Sequence, residues 1–314
     1  MVLDRDHNTI EHRQFHQLPD CLSAGDLLVL NETRVIPARL IGRRESSGGK
    51  WEGLFLREHT DGVWELLARA KGQPIVGEAY QVEPGPLRLI YRGRAEGHWL
   101  MTPEPAGTVS EILIKHGQIP LPPYIRQGRA DDADRDRYQT VFARTDGSVA
   151  APTAGLHFTP ALLARLEEKG VNTARITLHV GLGTFEPMRT DNPDEHVMHA
   201  EWAEVSAATV SAIQGCKARG NRVFAVGTTA VRALESAARE GELKPWSGET
   251  NLFIRPPYQF HAIDGMITNF HLPRTTLLLL VSALAGTEFL QQAYRTAITE
   301  EYRFYSYGDA MLIH

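Results

Sequence analysis

Three histidines stand in loops that follow apolar, strand-like runs: His157 in APTAGLHFT, His179 in TLHVGLGTF and His271 in TNFHLPRTT. Imidazole has an unperturbed pKa of about 6.5, so it exchanges protons readily near neutrality. A single loop histidine is more often a hydrogen-bonding structural residue than a catalyst. Three in equivalent places favour acid–base work at a shared site. A fourth strand-like run, RVFAV, is followed by the loop GTT and a helical stretch from about Thr229. Gly227 lets backbone approach a ligand there, while the amides around Thr228 and Thr229 and the helix dipole attract an anion. Arg232, one turn on, has the fork to clamp a carboxylate or phosphate. The competing reading is that a threonine merely caps the helix, with Arg232 on its surface.

General motifs fail. GLGTFE at Gly181 lacks the third glycine of a dinucleotide fingerprint, SGGKW near Gly48 lacks the P-loop spacing, and no GxSxG elbow occurs. Glu195, His196, His199 and Glu201 carry ligating groups, but without an HExxH pattern a hydrogen-bonding cluster is the commoner reading. From Arg34 to Lys50, five basic residues (Arg34, Arg39, Arg43, Arg44 and Lys50) face one acid, Glu45. That stretch is either a solvated surface or an edge that meets phosphates.

In an α/β sheet, loops at the carboxyl ends of strands are where ligands bind, so the four loops predict one composite site. After Ala150 the pattern runs strand, loop, helix. Thr159 as N-cap, Pro160 at the first position, Leu162, Leu163 and Leu166 as an apolar stripe and Gly170 beyond the end mark one helix. A second runs from about Ala207 to Arg219, and a third from about Thr229 to Arg239. Leu277 to Gly286 is too short for a membrane span and reads as a buried helix. Between about Ile41 and Ile119, short strand-like runs separated by Gly, Pro, Asp or Glu predict a small barrel-like all-β unit. The expected fold is therefore α/β: a mainly parallel sheet domain from both chain ends, residues 1–41 and 120–314, with an inserted all-β domain at 42–119.

The chain has 314 residues, 42% hydrophobic and 23% charged, a globular composition long enough for two domains. A net charge of −5 argues against indiscriminate nucleic-acid binding. Two distant cysteines, Cys21 and Cys216, suggest neither a disulfide framework nor a zinc knuckle, and point to the reducing cytosol. No targeting sequence is apparent in MVLDRDHNTI, so a cytoplasmic location is expected.

A resemblance covers nearly the whole chain. LVLNETRVIPARL, IPLPPYI, YQTVFA, VAAPTAGLHFT, TLHVGLGTF, HVMHAEWAEV, GNRVFAVGTTAVRALESA, TNFHLPRTTLLLLVSALAG and YRFYSYGDAMLI resemble, in order, the S-adenosylmethionine:tRNA ribosyltransferase-isomerase family of queuosine biosynthesis. The resemblance implies transfer and isomerisation of the ribosyl group of S-adenosylmethionine onto 7-aminomethyl-7-deazaguanine at the tRNA wobble position. Epoxyqueuosine would form, with release of adenine and methionine. It implies S-adenosylmethionine as co-substrate with no prosthetic group and tRNA as partner; a monomer with no membrane is expected besides. Within that scheme His157, His179 and His271 are acid–base candidates, and Arg232 with Gly227, Thr228 and Thr229 would hold the methionine carboxylate. Asn31, Thr33, Arg34 and Arg39, from another matching block, are candidates for contact with substrate or RNA.

Two departures accompany the match. Family members usually begin a few dozen residues earlier, and Pro257 stands where many relatives have glycine. The first raises a competing expectation, a tRNA-binding homologue without turnover. An ordinary methyltransferase would instead yield S-adenosylhomocysteine, and the missing glycine-rich fingerprint counts against it.

Overall fold

The computed structural model describes residues 1–122, 124–131, 133–181 and 192–314. Two compact units emerge: Met1–Arg34 with Gln139–His314, and Val35–Tyr138.

The first unit is built on strands β1 (Val2–Asp4), β2 (Thr9–Glu11) and β3 (Leu27–Asn31) from the start of the chain; β4 (Thr33–Val35) carries the division between the units. The second unit contributes β5 (Arg39–Arg44), β6 (Lys50–Glu58), β7 (Trp64–Ala70), β8 (Ala79–Val82), β9 (Arg88–Ala95) and β10 (His98–Glu104). The chain then returns to the first unit with β11 (Thr145–Ser148), β12 (Asn172–Leu178), β13 (Glu201–Val205) and β14 (Val223–Val226). Strands β15 (Trp246–Thr250), β16 (Gly265–Asn269) and β17 (Ala310–Ile313) complete it.

Nine strands form one sheet in the order β15-β13-β12-β3-β14-β16-β17-β1-β2. Its centre, β12-β3-β14-β16, is parallel throughout, whereas β13 and β15 on one flank and β17 on the other run antiparallel to their inner neighbours. The expected parallel sheet is thus its middle, and the flanks make it mixed. Runs such as LLVLN and VFAV are buried on both faces, as central strands covered by helices must be. Alternation sorts their side chains. Leu27 and Val29 join the core beneath helices Ala207–Ala218, Thr228–Ala237, Thr276–Ala285 and Thr287–Thr299, while Leu28 and Leu30 pack with Phe158, Leu162 and Leu166 on the opposite face.

The start signals act as expected. Thr159 accepts the Leu162 amide with Pro160 in the first turn, Ser206 accepts the Thr209 amide, and Gly170 takes φ 84° past the first of these helices. The apolar run near Leu280 is a helix, Thr276–Ala285, bent by 112° from the next at Gly286. Among the described residues no single helix is long and apolar enough to cross a membrane.

The second unit closes as a six-stranded antiparallel barrel, β10-β7-β6-β5-β8-β9. Trp51, Trp64, Tyr80 and Trp99 fill it; Tyr80 and Trp99 meet edge to face with centroids 5.3 Å apart. At Gly42 a Cβ would fall 1.9 Å from the Gln81 carbonyl, so no larger residue fits that crossing. The unit is wider than 42–119. β5 is a barrel strand, bonded on both sides to β6 and β8, and Arg39 bridges to Gln118 and donates to the Gly128 carbonyl. The charged stretch DDADRDRYQ contributes a short helix, Asp134–Arg137, with Asp134 buried against Arg126.

Candidate active site

The parallel strands end on one edge: β3 at Asn31, β12 at Leu178, β14 at Val226 and β16 at Asn269. Winding reverses at β3, where β12 adds on one side and β14 and β16 on the other. Ligands bind outside the carboxyl ends of strands at such a point.

Asn31 ties that edge together. Its amide nitrogen donates to the Leu178 carbonyl at 3.0 Å and to Thr229 Oγ1 at 3.2 Å. Its oxygen accepts the amides of Leu178 at 3.0 Å and Thr33 at 3.2 Å. Two donors and two lone pairs are thereby spent, so Asn31 fixes loops and has no bond left for a substrate. Thr33, wholly buried, bonds His179 Nδ1 through Oγ1 at 2.8 Å. The His179 ring stacks on Trp202 with centroids 5.2 Å apart, and lies so near Gly147 that a Cβ there would come within 2.7 Å of it. Burial lowers the His179 pKa, opposed by the charge of Asp146.

The loop after β14 leads into the helix Thr228–Ala237 through Gly227 at φ 89°. No side chain caps this helix, and among the described residues no acceptor meets the amides of Thr228, Thr229 or Ala230. Free amides with the dipole behind them are the chemistry that attracts an anion. Gly227 also allows close approach, since a Cβ there would lie 3.6 Å from Cβ of Ala154 in the 3-10 turn Thr153–His157. The expected carboxylate clamp is corrected at Arg232. It is buried beneath the edge; one Nη holds Glu201, the other donates to the Thr250 carbonyl at 3.2 Å, and Nε donates to the Leu252 carbonyl at 3.2 Å. Its charge answers an internal carboxylate, because the helix turns this position towards β13 and β15. Glu201 in turn accepts the Gly181 amide at 2.7 Å.

His157 ends the 3-10 turn. It stacks on Phe15 with centroids 4.9 Å apart, and its Nε2 lies 3.2 Å from Asn269 Nδ2. It lines a cavity of about 470 Å³ together with Phe15, Arg13, Tyr302 and Asp309. Burial lowers its pKa, with Asp309 opposing and Arg303 assisting. His271 bonds Thr268 Oγ1 through Nε2 at 2.8 Å, and its backbone amide donates to the Tyr294 hydroxyl. Dense surroundings push its pKa down to about 4 although part of its surface remains exposed. All three rings are therefore biased to the neutral form at pH 7, suited to accepting protons or donating neutral hydrogen bonds.

The basic run Arg34–Lys50 loses its excess charge once folded. Arg39 pairs with Glu52, Arg43 with Glu83 and Arg44 with Glu78, acids that a local count misses. Arg39 is committed within the barrel unit, whereas the three histidines belong to the sheet unit. Arg34, in the first unit, donates to the Ala143 carbonyl and lies 3.7 Å from Asp146, with half of its side chain exposed. Among the described residues no three His, Cys, Asp or Glu side chains gather to hold a metal ion; Glu201, which lines a small cavity with His196 and His199, pairs with Arg232. The Leu182–Phe185 part of the TLHVGLGTF loop lies outside the described residues.

Asn269 and Glu201 matter here and carried no signal by type. Asn269 sits inside an apolar strand run, and Glu201 read as one of a polar cluster. A buried amide at a strand's carboxyl end, mirrored by Asn31 at the end of β3, is the pattern that would have exposed the first.

A model of the family described as queuosine biosynthesis protein matches residues 1–313. The whole chain is 51% identical over 316 residues to the S-adenosylmethionine:tRNA ribosyltransferase-isomerase of Moorella thermoacetica, covering 92% of that protein. It is similar in structure to S-adenosylmethionine tRNA ribosyltransferase from Thermotoga maritima, at a TM-score of 0.56 and 37% identity, covering 100% of this chain and 91% of that one. The chain belongs to the queuosine biosynthesis family of S-adenosylmethionine:tRNA ribosyltransferase-isomerases.

Proposed function

We propose that this chain transfers and isomerises the ribosyl moiety of S-adenosylmethionine onto 7-aminomethyl-7-deazaguanine at the wobble position of tRNA. Epoxyqueuosine forms in the tRNA, and adenine and methionine leave. The observation that supports this reading is the placement of three neutral-biased histidines along the carboxyl edge that also carries an uncapped helix N-terminus: His179 past β12, His271 past β16, and His157 against Asn269 at the end of β16.

Each step asks for a group of that kind. The sulfonium acidifies the neighbouring ribose C5′ protons, so a neutral imidazole suffices as base. Adenine departure needs a hydrogen-bond donor, and the attacking amine must be neutral. The methionine carboxylate is met by the amides of Thr228, Thr229 and Ala230, with Gly227 giving room. Arg232 acts behind them, through Glu201 and the Gly181 backbone. His157, His179 and His271 share the proton handling, and Arg34 is the cation offered to RNA phosphate. The chain works as a monomer in the cytoplasm, with S-adenosylmethionine as co-substrate and no prosthetic group.

The test is product identity. The protein is incubated with S-adenosylmethionine and tRNA carrying the deazaguanine base, and the mixture is resolved by mass spectrometry. Adenine, methionine and epoxyqueuosine in the tRNA are expected. S-adenosylhomocysteine, or tRNA binding without adenine release, overturns the proposal.

A further inference from the structure

Asn269 closes β16 and is 3% exposed, with its amide between two groups of the Thr153–His157 turn. The Thr153 hydroxyl donates to its Oδ1 at 2.9 Å, and its Nδ2 faces His157 Nε2 at 3.2 Å. An amide NH₂ only donates, so Nε2 must accept and the ring proton must sit on Nδ1. Phe15, stacked at an interplanar angle of 26°, fixes the ring plane and hence the direction of Nδ1. Among the described residues Nδ1 has no protein partner, and the ring borders the cavity that also holds Tyr302 and Asp309.

We infer that Asn269 is a positioning residue that holds His157 as the neutral tautomer protonated on Nδ1, making His157 a hydrogen-bond donor to the reacting groups and not the general base. The catalytic half of this rests on the function proposed above. The donor suits the departing adenine, whose ring nitrogens gain electron density as the glycosidic bond breaks. The C5′ proton then falls to His179 or His271. Asn269 thus sorts three similar histidines into different roles through one hydrogen bond.

The test reads the tautomer directly, by two-bond nitrogen–proton correlation NMR of ¹⁵N-histidine-labelled full-length protein without substrate. The His157 signals are assigned by their loss in His157→Gln. Protonated Nδ1 is expected in the native chain. In Asn269→Asp, whose carboxylate only accepts, the proton should move to Nε2 or the ring should charge. Thr153→Val, which releases the amide without touching His157, should give a mixture of tautomers. The kcat for adenine release should fall about tenfold or more in Asn269→Asp, with a far smaller change in KM for S-adenosylmethionine. Protonated Nε2 in the native chain overturns the inference, as does a tautomer change that leaves adenine release untouched. A native protein that releases no adenine overturns the proposed function instead, while the spectrum still judges Asn269.

Discussion

Arg232 illustrates how a side chain with the right chemistry can be spent elsewhere. Its guanidinium and the Glu201 carboxylate are both almost fully buried, and removing one partner strands the other charge without water. Arg232→Ala should therefore cost about 3–5 kcal/mol of stability, read by urea unfolding, and the double replacement Arg232→Met with Glu201→Leu should recover much of it. A variant that keeps full stability and loses only affinity for S-adenosylmethionine would restore Arg232 as a substrate clamp. His271 supports a second residue-scale expectation. Its folded pKa, about 4, lies below the unfolded value, so the unfolded chain binds its proton first as pH falls. The stability it contributes is complete above about pH 6.5 and drains away as pH falls from there towards 4. Replacing it with Asn should flatten the loss of stability between pH 6.5 and 5 by up to about 1.4 kcal/mol per pH unit. An unchanged slope would mean that His271 titrates freely in the native state.

Among the elements, the carboxyl edge of the parallel strands depends on two positions. Asn31→Ala removes all four bonds that hold β3, β12 and the Thr228–Ala237 helix in register, leaving buried amides unpaired at a cost of about 3 kcal/mol. Gly227→Ala meets only ordinary contacts at 3.6 Å, so its cost is the backbone at φ 89° and ψ 154°, a region essentially reserved to glycine, about 1–3 kcal/mol. Calorimetric melting ranks the two; a larger loss for Gly227→Ala would contradict the assignment. This edge is legible in the chain because strand runs, capping threonines and glycines are local signals. Thr159, Pro160 and Gly170 bound a helix by residue type alone, and three of the four loops leave that edge, while APTAGLHFT follows β11 outside the nine-stranded sheet and reaches the edge through the His157–Asn269 contact. What local signals do not carry is partnership at a distance. Asn31 looks like a substrate contact in the sequence because Leu178 and Thr229, lying 147 and 198 residues along the chain, cannot be seen beside it. The same blindness makes Arg232 a clamp, since Glu201 enters the sequence as a neighbour of His199.

Across the whole molecule, charge and division follow the same rule. The basic run from Arg34 to Lys50 looks like a phosphate-binding edge because Glu52, Glu78 and Glu83 lie outside it, and folding pairs them with Arg39, Arg44 and Arg43. The barrel unit likewise begins at Val35 and not at 42, because β5 finds both its partners in later strands. Arg34 is the member of that run left half-exposed in the unit that carries the histidines, held among the described residues by an exposed 3.7 Å ion pair worth little and one bond to the Ala143 carbonyl. Arg34→Ala should weaken tRNA binding at low salt and reduce the slope of log affinity against log salt by up to about one, whereas Arg39→Ala should lower stability first. Equal slopes for native and Arg34→Ala protein would remove Arg34 from the RNA surface.

The histidines at this one edge are proposed to carry the proton transfers of ribosyl transfer. That is tested most directly by single-turnover adenine release from His157→Ala, His179→Ala and His271→Ala, each verified as folded and saturated with S-adenosylmethionine and deazaguanine-bearing tRNA. At least one variant should slow by about 10²-fold or more. Three variants that release adenine at the native rate would contradict the proposal.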